Sequence, residues 1–243
     1  MKNATPLKTI PTCSSMGVLI LSTEHDAEAT QLKSNILSSG GYVERQAICT
    51  VQIHPDMTCL SYVISDYAAI KTLRKHRMIL AAIGSGTLLC CPERQQVILQ
   101  RRSSLVDTYP HKLSAFGGHF SPDRDSLGHG ALIDTLIAEL QEEAGIDLLT
   151  LSANFVDDLP PIYMIHEPDT GAIQFTPLAF ALTPDQADRV IGSEEGAIEV
   201  FHLVEDVETL MDDSQWSQMG FTCFQTWREQ GFPVQKNWVG PTI

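Results

Sequence analysis

The sequence predicts an α/β fold, and three observations support that class. Short apolar runs typical of buried strands recur along the chain, for example at residues 16–21 and 96–101. A longer segment, residues 132–140, has apolar residues at helical spacing instead. The chain has 243 residues, of which 43% are hydrophobic, so it can bury a sizeable core in one large domain or two unequal ones.

Residues 1–76 are predicted to form a small α/β domain. After a polar lead-in, the pattern predicts strands at residues 16–21, 42–53 and 60–64. Helices are expected at residues 24–38, capped by Ser22 or Thr23, and from Asp66, as the cap, through residue 73. No catalytic motif is present in this domain. Its role is unknown, and packing or homodimerisation is the interpretation that the pattern favours.

A basic cluster follows the second helix and marks the predicted domain boundary. Its members are Lys71, Arg74, Lys75, His76 and Arg77. Such a cluster can bind phosphate, although a solvated linker or helix end fits the pattern better.

Residues 77–243 are predicted to form the second domain, which opens with strands at residues 78–83, 87–91 and 96–101. Gly84-Ser85-Gly86 is interpreted as a hairpin turn between the first two. It is not a phosphate-binding loop, because no helix with Lys and Ser or Thr follows it. The later elements are strands at residues 162–166, 173–182 and 198–204 and helices at residues 184–190 and 207–211. Four aromatic residues at near-helical spacing are expected in the core: Trp216, Phe221, Phe224 and Trp227.

Three glutamates stand near the end of the predicted helix. Glu139, Glu142 and Glu143 lie at i, i+3 and i+4, so they share one face, and Gly145 is placed to end the helix. Each like-charge pair costs about 0.2–0.5 kcal/mol, which an exposed surface tolerates. A hard divalent cation would turn the cluster into a site, since Mg²⁺ prefers carboxylate, phosphate and water oxygens. The cluster therefore fits either a solvated acidic face or a metal site.

Residues 139–146, Glu-Leu-Gln-Glu-Glu-Ala-Gly-Ile, match E-U-x-E-E-x-G-U, where U is a bulky aliphatic residue, and the stretch resembles the box of the Nudix hydrolase family. The glycine pair Gly117-Gly118 lies upstream, as in that box. Gly118 and Glu139 are 21 positions apart, six more than in the family pattern. Ala138 stands where the family has arginine, and Gly130 stands where the ungapped count places its first glutamate. The box is thus degenerate and carries a loop insertion.

The resemblance implies a fold and a set of site residues. The fold would be a Nudix-type α/β/α sandwich with a mixed sheet. Mg²⁺ or Mn²⁺ would be held by Glu139, Glu142 and Glu143 and by the backbone carbonyl of Gly118. Glu142, Glu143 and Glu195 are the catalytic candidates, because a carboxylate beside the metal ion can activate the attacking water. Exposed loop acids are the alternative interpretation of Glu195 and its neighbour Glu194.

Further site candidates are basic or lie in the insertion. Arg101 and Arg102 end a predicted strand and are candidates for binding substrate phosphates, with simple exposure as the alternative. Asp123 or Asp125 is a candidate replacement for the missing loop glutamate, although a solvated acidic loop fits these residues better.

The function implied by the resemblance is hydrolysis of the pyrophosphate linkage in a nucleoside diphosphate linked to another moiety. The alternative is a catalytically weak or inactive Nudix-like module that binds a nucleotide or a protein. Ala138, Gly130 and the long loop favour this alternative, whereas the intact glutamates favour the enzyme.

Composition narrows the expected partners. The net charge is −14, from 30 acidic against 16 basic residues, which disfavours bulk nucleic acid and anionic membranes but permits a small nucleotide with metal ions. No apolar run approaches the roughly 20 residues of a membrane span, and the N-terminus lacks the apolar core of a signal peptide. The 6 cysteines form no regular framework, so reduced thiols and a cytoplasmic location are expected.

Overall fold

The computed structural model describes most of the chain. The described residues are 4–7, 11–40, 43, 45–49, 59–78, 80–106, 108–123, 130–148, 161–167 and 170–234. Asp125, one of the two candidates in the loop insertion, lies outside them.

The described residues form strands and helices in alternation. The strands are β1 (Ala4–Pro6), β2 (Thr12–Val18), β3 (Arg45–Cys49), β4 (Cys59–Asp66), β5 (Ile83–Cys91), β6 (Gln96–Arg102), β7 (Leu113–Ser114), β8 (Phe116–His119), β9 (Tyr163–His166), β10 (Ile173–Thr176), β11 (Ala179–Ala181) and β12 (Gly196–His202). The helices are α1 (Thr23–Ser38), α2 (Tyr67–Lys75), α3 (Ala131–Ala144), α4 (Pro184–Ala187), α5 (Val207–Met211) and α6 (Gln218–Glu229). None of the helices in these ranges is long and apolar enough to cross a bilayer.

The larger sheet is mixed. Its main strand order is β1-β9-β10-β5-β6-β12, with β8 and β11 also paired to β5 and β7 paired to β6. β10 and β11 run parallel to β5, whereas β6 and β8 run antiparallel to it. On one face, Leu88 and Leu99 pack with α6, and on the other face Leu89 and Ile98 pack with α3. These layers confirm the predicted α/β class with a mixed sheet between helices.

Three of the four predicted core aromatics are buried, and the fourth is partly buried. Trp216, Phe224 and Trp227 are at most 3% exposed, and Phe221 packs against their cluster. Trp227 Nε1 also donates a hydrogen bond to the carbonyl of Pro233 at 3.0 Å. The spacing of these residues therefore reported the buried face of α6.

The predicted hairpin turn at Gly84-Ser85-Gly86 is wrong, because β5 runs through it without interruption. Gly86 pairs with Gly117 and Ser85 pairs with Gly118 on β8. A Cβ atom built on Gly84 would lie 2.4 Å from the carbonyl oxygen of Gly118. These glycines therefore permit a close approach between two strands, a use of glycine that resembles a turn signal in the sequence.

The predicted single strand at residues 173–182 is two strands, β10 and β11. Pro177 separates them and lacks the N–H group that a sheet ladder needs. The next residue, Leu178, has a left-handed φ of 57°. The break lets both strands pair with the one long β5.

The N-terminal region forms a second sheet of the order β2-β4-β3. Ser22 caps α1 by accepting from the N–H of His25, and Asp66 caps α2 by accepting from the N–H of Ala69, as predicted. The strand β2 begins earlier than expected. β1 pairs with β9 of the larger sheet, and the N–H of Ala47 donates to the carbonyl of Phe120 at 3.1 Å. The division into domains 1–76 and 77–243 stays a prediction, and these two connections cross it.

A contact between α1 and the end of α2 gives the folded state a pH dependence. His76 Nε2 lies 2.7 Å from Glu28 Oε2, and Lys75 Nζ pairs with Glu28 Oε1. The hydrogen bonds from His76 and Lys75 lower the pKa of Glu28 from 4.5 to about 2. Because this pKa is lower in the folded state, the contact stabilises the protein above pH 4.5 and is lost as the pH falls toward 2.

We expect Glu28→Gln to lower the melting temperature slightly at pH 7, because the ion pairs are lost. The difference from the parent chain should shrink steadily below pH 4.5 and be absent near pH 2, where both side chains are neutral. Thermal denaturation followed by circular dichroism across this range measures it. In a Lys75→Gln/His76→Gln background the difference should vanish at every pH; a persistent difference would contradict the assignment.

Candidate functional site

The end of α3 carries the three predicted glutamates to the larger sheet. Gly145 ends the helix with a left-handed φ of 66°. Glu139 and Glu143 are only 7% and 3% exposed, whereas Glu142 is exposed. The shared helical face is thus divided between two buried carboxylates and one at the surface.

Glu143 is held by two donors. Its Oε2 accepts from the N–H of Gly117 at 2.6 Å, and its Oε1 accepts from Nε2 of Gln100 at 3.2 Å. Burial and the negative charges of Glu139 and Glu195 raise the pKa of Glu143 well above its usual range. The Gly117 hydrogen bond and the charge of Arg102 offset this only in part. Glu143 is therefore an oriented, buried carboxylate that would gain from a nearby cation.

The glycine pair lies directly against the glutamates. A Cβ atom on Gly118 would lie 2.4 Å from Oε1 of Glu139, so a larger residue would displace that carboxylate. Gly117 has a φ of 144°, and a Cβ there would lie 2.4 Å from the Cα of Gly86. The carbonyl oxygen of Gly118 faces Gly84 of β5. Its role as a metal ligand stays a prediction.

An open cleft of about 630 Å³ lies in front of these groups. Its lining includes Gly117, Gly118, Arg102 and four acids: Glu139, Glu142, Glu194 and Glu195. The N–H of Ser103 donates to the carbonyl of Glu195 at 2.7 Å, which ties the turn before β12 to the end of β6. The structure thus brings the predicted Glu195 to the same cleft as the helix glutamates.

The two predicted arginines point to different places. Arg101 makes two contacts with Glu199 of β12, from Nε at 2.9 Å and from Nη2 at 2.8 Å. Arg102 lines the cleft, and its Nε donates to the carbonyl of Thr108 at 3.0 Å. Successive side chains of a strand point to opposite faces. Arg102 is therefore at the site, and Arg101 is not among the residues that line it.

The residues at the degenerate positions lie outside the carboxylate cluster. Asp123 is paired with Arg45 of β3, whose Nη1 lies 2.9 Å from Oδ1 of Asp123. Gly130 is the N-cap residue of α3, with a φ of 102° and no side-chain cap. Asp123 and Gly130 do not line the cleft.

The donor set fits a hard divalent cation in its chemistry. Two buried carboxylates and an exposed third supply only oxygen ligands, which suit Mg²⁺ or Mn²⁺. Within the described part of the chain, no group of three or more His, Cys, Asp or Glu is arranged to hold a metal ion. Mg²⁺ is commonly bound through one or two carboxylates together with waters and substrate phosphates. The arrangement therefore suits an ion that binds together with a phosphate group.

The opposite wall of the cleft was not predicted as part of the site. Tyr67, Lys71 and Arg74 of α2 line it, together with Gln46 of β3. The sequence analysis treated Lys71 and Arg74 as a helix end at a domain boundary. Their spacing was an available signal, since positions i, i+4 and i+7 of a helix share one face.

No protein-family model and no curated protein sequence matches the chain. It is similar to the solved structure of a bifunctional NMN adenylyltransferase/ADP ribose pyrophosphatase from Francisella tularensis, with a TM-score of 0.48 and 11% identity over 66% of this chain and 45% of that chain. This chain therefore spans less than half of that protein.

Two shorter proteins are covered almost completely. A MutT protein from Methanosarcina mazei Go1 has a TM-score of 0.40 and 19% identity, over 61% of this chain and 93% of that chain. A Nudix hydrolase from Nitrosomonas europaea has a TM-score of 0.40 and 15% identity, over 66% of this chain and 97% of that chain. The solved structures to which this chain is similar are thus Nudix hydrolases, the family whose box its residues 139–146 resemble.

Proposed function

We propose that the chain is a Nudix-type, metal-dependent hydrolase. Its substrate would be a nucleoside diphosphate linked to another moiety, and it would split the pyrophosphate linkage. The observation that carries the proposal is the burial of Glu139 and Glu143 beside Gly117-Gly118 at the edge of a cleft of about 630 Å³. A solvated acidic face would leave both carboxylates in water, because burying like charges without a cation is unfavourable.

The residues of this chain have separate tasks in the proposed reaction. Glu139, Glu142 and Glu143 would hold Mg²⁺ or Mn²⁺, which when bound screens the phosphates and lowers the pKa of water. Gly117 and Gln100 orient the Glu143 carboxylate through the two hydrogen bonds that it accepts. Water attacks one phosphorus, the P–O–P bridge breaks, and two phosphate monoesters leave.

The proton of the attacking water needs a carboxylate acceptor in the cleft. Glu142 and Glu195 are both exposed and line the cleft, so either can take the proton and release it to solvent. Arg102 places a positive charge in the same cleft, where it can attract phosphate oxygens.

A substrate panel tests the proposal. ADP-ribose, NADH, diadenosine polyphosphates and nucleoside triphosphates are incubated with Mg²⁺, and chromatography follows the phosphate monoester products. Turnover that stops with EDTA is the expected result. Binding without product would favour the alternative, a nucleotide-binding module without turnover. The exposed Glu142 and the lack of a three-carboxylate group within the described ranges are the observations that keep this alternative in view.

The two arginines provide a matched pair of variants. We expect Arg102→Gln to raise KM about 10-fold, because a charge-assisted contact with phosphate is worth on the order of 1.5 kcal/mol. Arg101→Gln should leave KM within a factor of about two, since Arg101 is already paired with Glu199. Steady-state kinetics on whichever panel substrate is hydrolysed measures both. Equal effects from the two variants would show that Arg102 has no special role.

A further inference from the structure

We propose that α2 of the N-terminal region forms a second, anion-binding subsite in the cleft, where Arg74 and Lys71 bind a phosphate group of the ligand. The inference deepens the proposed function, on which its substrate assignment rests. It specifies a substrate that carries a further phosphate, away from the one at the helix glutamates. It also gives the N-terminal region a role in recognition.

Both walls face one cavity. Tyr67, Lys71 and Arg74 line the same cleft as Glu139 and Glu142, and its volume of about 630 Å³ is typical of a small-molecule site. Since these three residues lie at i, i+4 and i+7 of α2, the helix presents them together on one face. One ligand that fills the cleft would therefore touch residues from both parts of the chain.

Arg74 supplies the strongest indication of a ligand. Its side chain is half-buried, and its Nε is enclosed without a hydrogen-bond partner in the described structure. An unsatisfied buried donor is unfavourable, and a charged one especially so. A phosphate oxygen is the acceptor that best suits a guanidinium, because the planar fork of N–H groups matches it.

The other charged groups near Arg74 are compatible with this assignment. Glu167 is buried in the same cleft and interacts with Arg74 through its charge, while its Oε2 accepts a hydrogen bond from the hydroxyl of Thr170. Lys71 adds a second cation on the same helical face. Its Nζ lies 5.5 Å from the centroid of the Tyr67 ring and 3.5 Å from the Tyr67 hydroxyl. Two cations thus stand near one buried acid.

The two walls differ in sign, which predicts where an unscreened anion binds. Glu139, Glu142, Glu194 and Glu195 repel phosphate unless a metal ion is present. Phosphate that binds without metal should therefore sit at α2. This separates the subsite from the proposed reaction, because its occupancy needs neither metal nor turnover.

The test is calorimetric titration of the full chain with inorganic phosphate in EDTA. We expect measurable binding that weakens about 10-fold in Arg74→Gln and also weakens in Lys71→Gln. Lys75→Gln is the matched control, because Lys75 is on the same helix but pairs with Glu28 outside the cleft. Glu143→Gln should bind metal-free phosphate at least as well as the parent chain. Lys71 is exposed, so its variant remains informative if Arg74→Gln does not fold.

The outcomes are distinct. No phosphate binding by the parent chain, or equal binding by the parent, Arg74→Gln and Lys71→Gln, overturns the inference. A loss in Lys75→Gln as large as in Lys71→Gln would overturn it too, since that would indicate only general attraction to α2. If the substrate panel gives no hydrolysis but phosphate binding still depends on Arg74, the hydrolase proposal fails and the anion subsite stands.

Discussion

Replacing Glu143 with Gln is expected to reduce metal-dependent hydrolysis by about 10³-fold while the chain stays folded. The carboxylate is the best-positioned group in the cleft, since Gly117 and Gln100 hold its two oxygens. Glutamine keeps the shape and one acceptor oxygen but removes the negative charge that a metal ion needs. The loss should therefore appear in kcat and in the response to Mg²⁺.

The same substitution should not lower stability. Burial and the neighbouring Glu139 raise the pKa of Glu143, which means that its charged form is unfavourable in the folded protein without metal. Removing that charge relieves the repulsion, so in EDTA the melting temperature of Glu143→Gln should equal or exceed that of the parent chain. Mg²⁺ should raise the melting temperature of the parent chain but not of the variant, because only the parent binds the ion tightly.

Gln141→Ala is the matched control for Glu143→Gln, because Gln141 is exposed on the same turn of α3 and does not line the cleft. It should retain both activity and the Mg²⁺ response. Full hydrolysis by Glu143→Gln would remove Glu143 from the site. A large fall in the variant's melting temperature would instead show that the carboxylate is structural.

Gly84→Ala is expected to destabilise the fold by about 1–3 kcal/mol, the usual cost of forcing extra atoms into a packed position. For a chain of this size that is a fall in melting temperature of roughly 2–10 °C. The added Cβ would meet the carbonyl oxygen of Gly118 at 2.4 Å, so β8 must move away from β5. Because Gly118 also packs against Glu139, hydrolysis should fall with stability.

Gly40→Ala separates packing from backbone strain. Gly40 has a φ of 83°, but a Cβ there would have nothing within 4 Å. This variant should show a modest fall in melting temperature from its left-handed backbone, with activity unchanged. Thermal denaturation and hydrolysis assays of both variants make the comparison. If Gly84→Ala melts with the parent chain, the close contact between β5 and β8 is not tight.

Local patterns were predicted well where neighbouring residues decide the outcome. The apolar stripe of α3, its end at Gly145 and the caps at Ser22 and Asp66 follow from contacts within four residues along the chain. The shared face of the three glutamates is a consequence of the same helical geometry. The glycine triplet of β5 was misread because its reason is a distant strand, β8.

The sequence by itself determined the α/β class, the helix that carries the glutamates and the kind of chemistry that three carboxylates beside two glycines can support. Tertiary structure alone decided that Glu139 and Glu143 are buried while Glu142 is exposed, and that Arg102 rather than Arg101 faces the cleft. It also decided that α2 forms the opposite wall. The physical reason is that burial and charge pairing depend on residues far apart in the chain, which the spacing of neighbours does not encode.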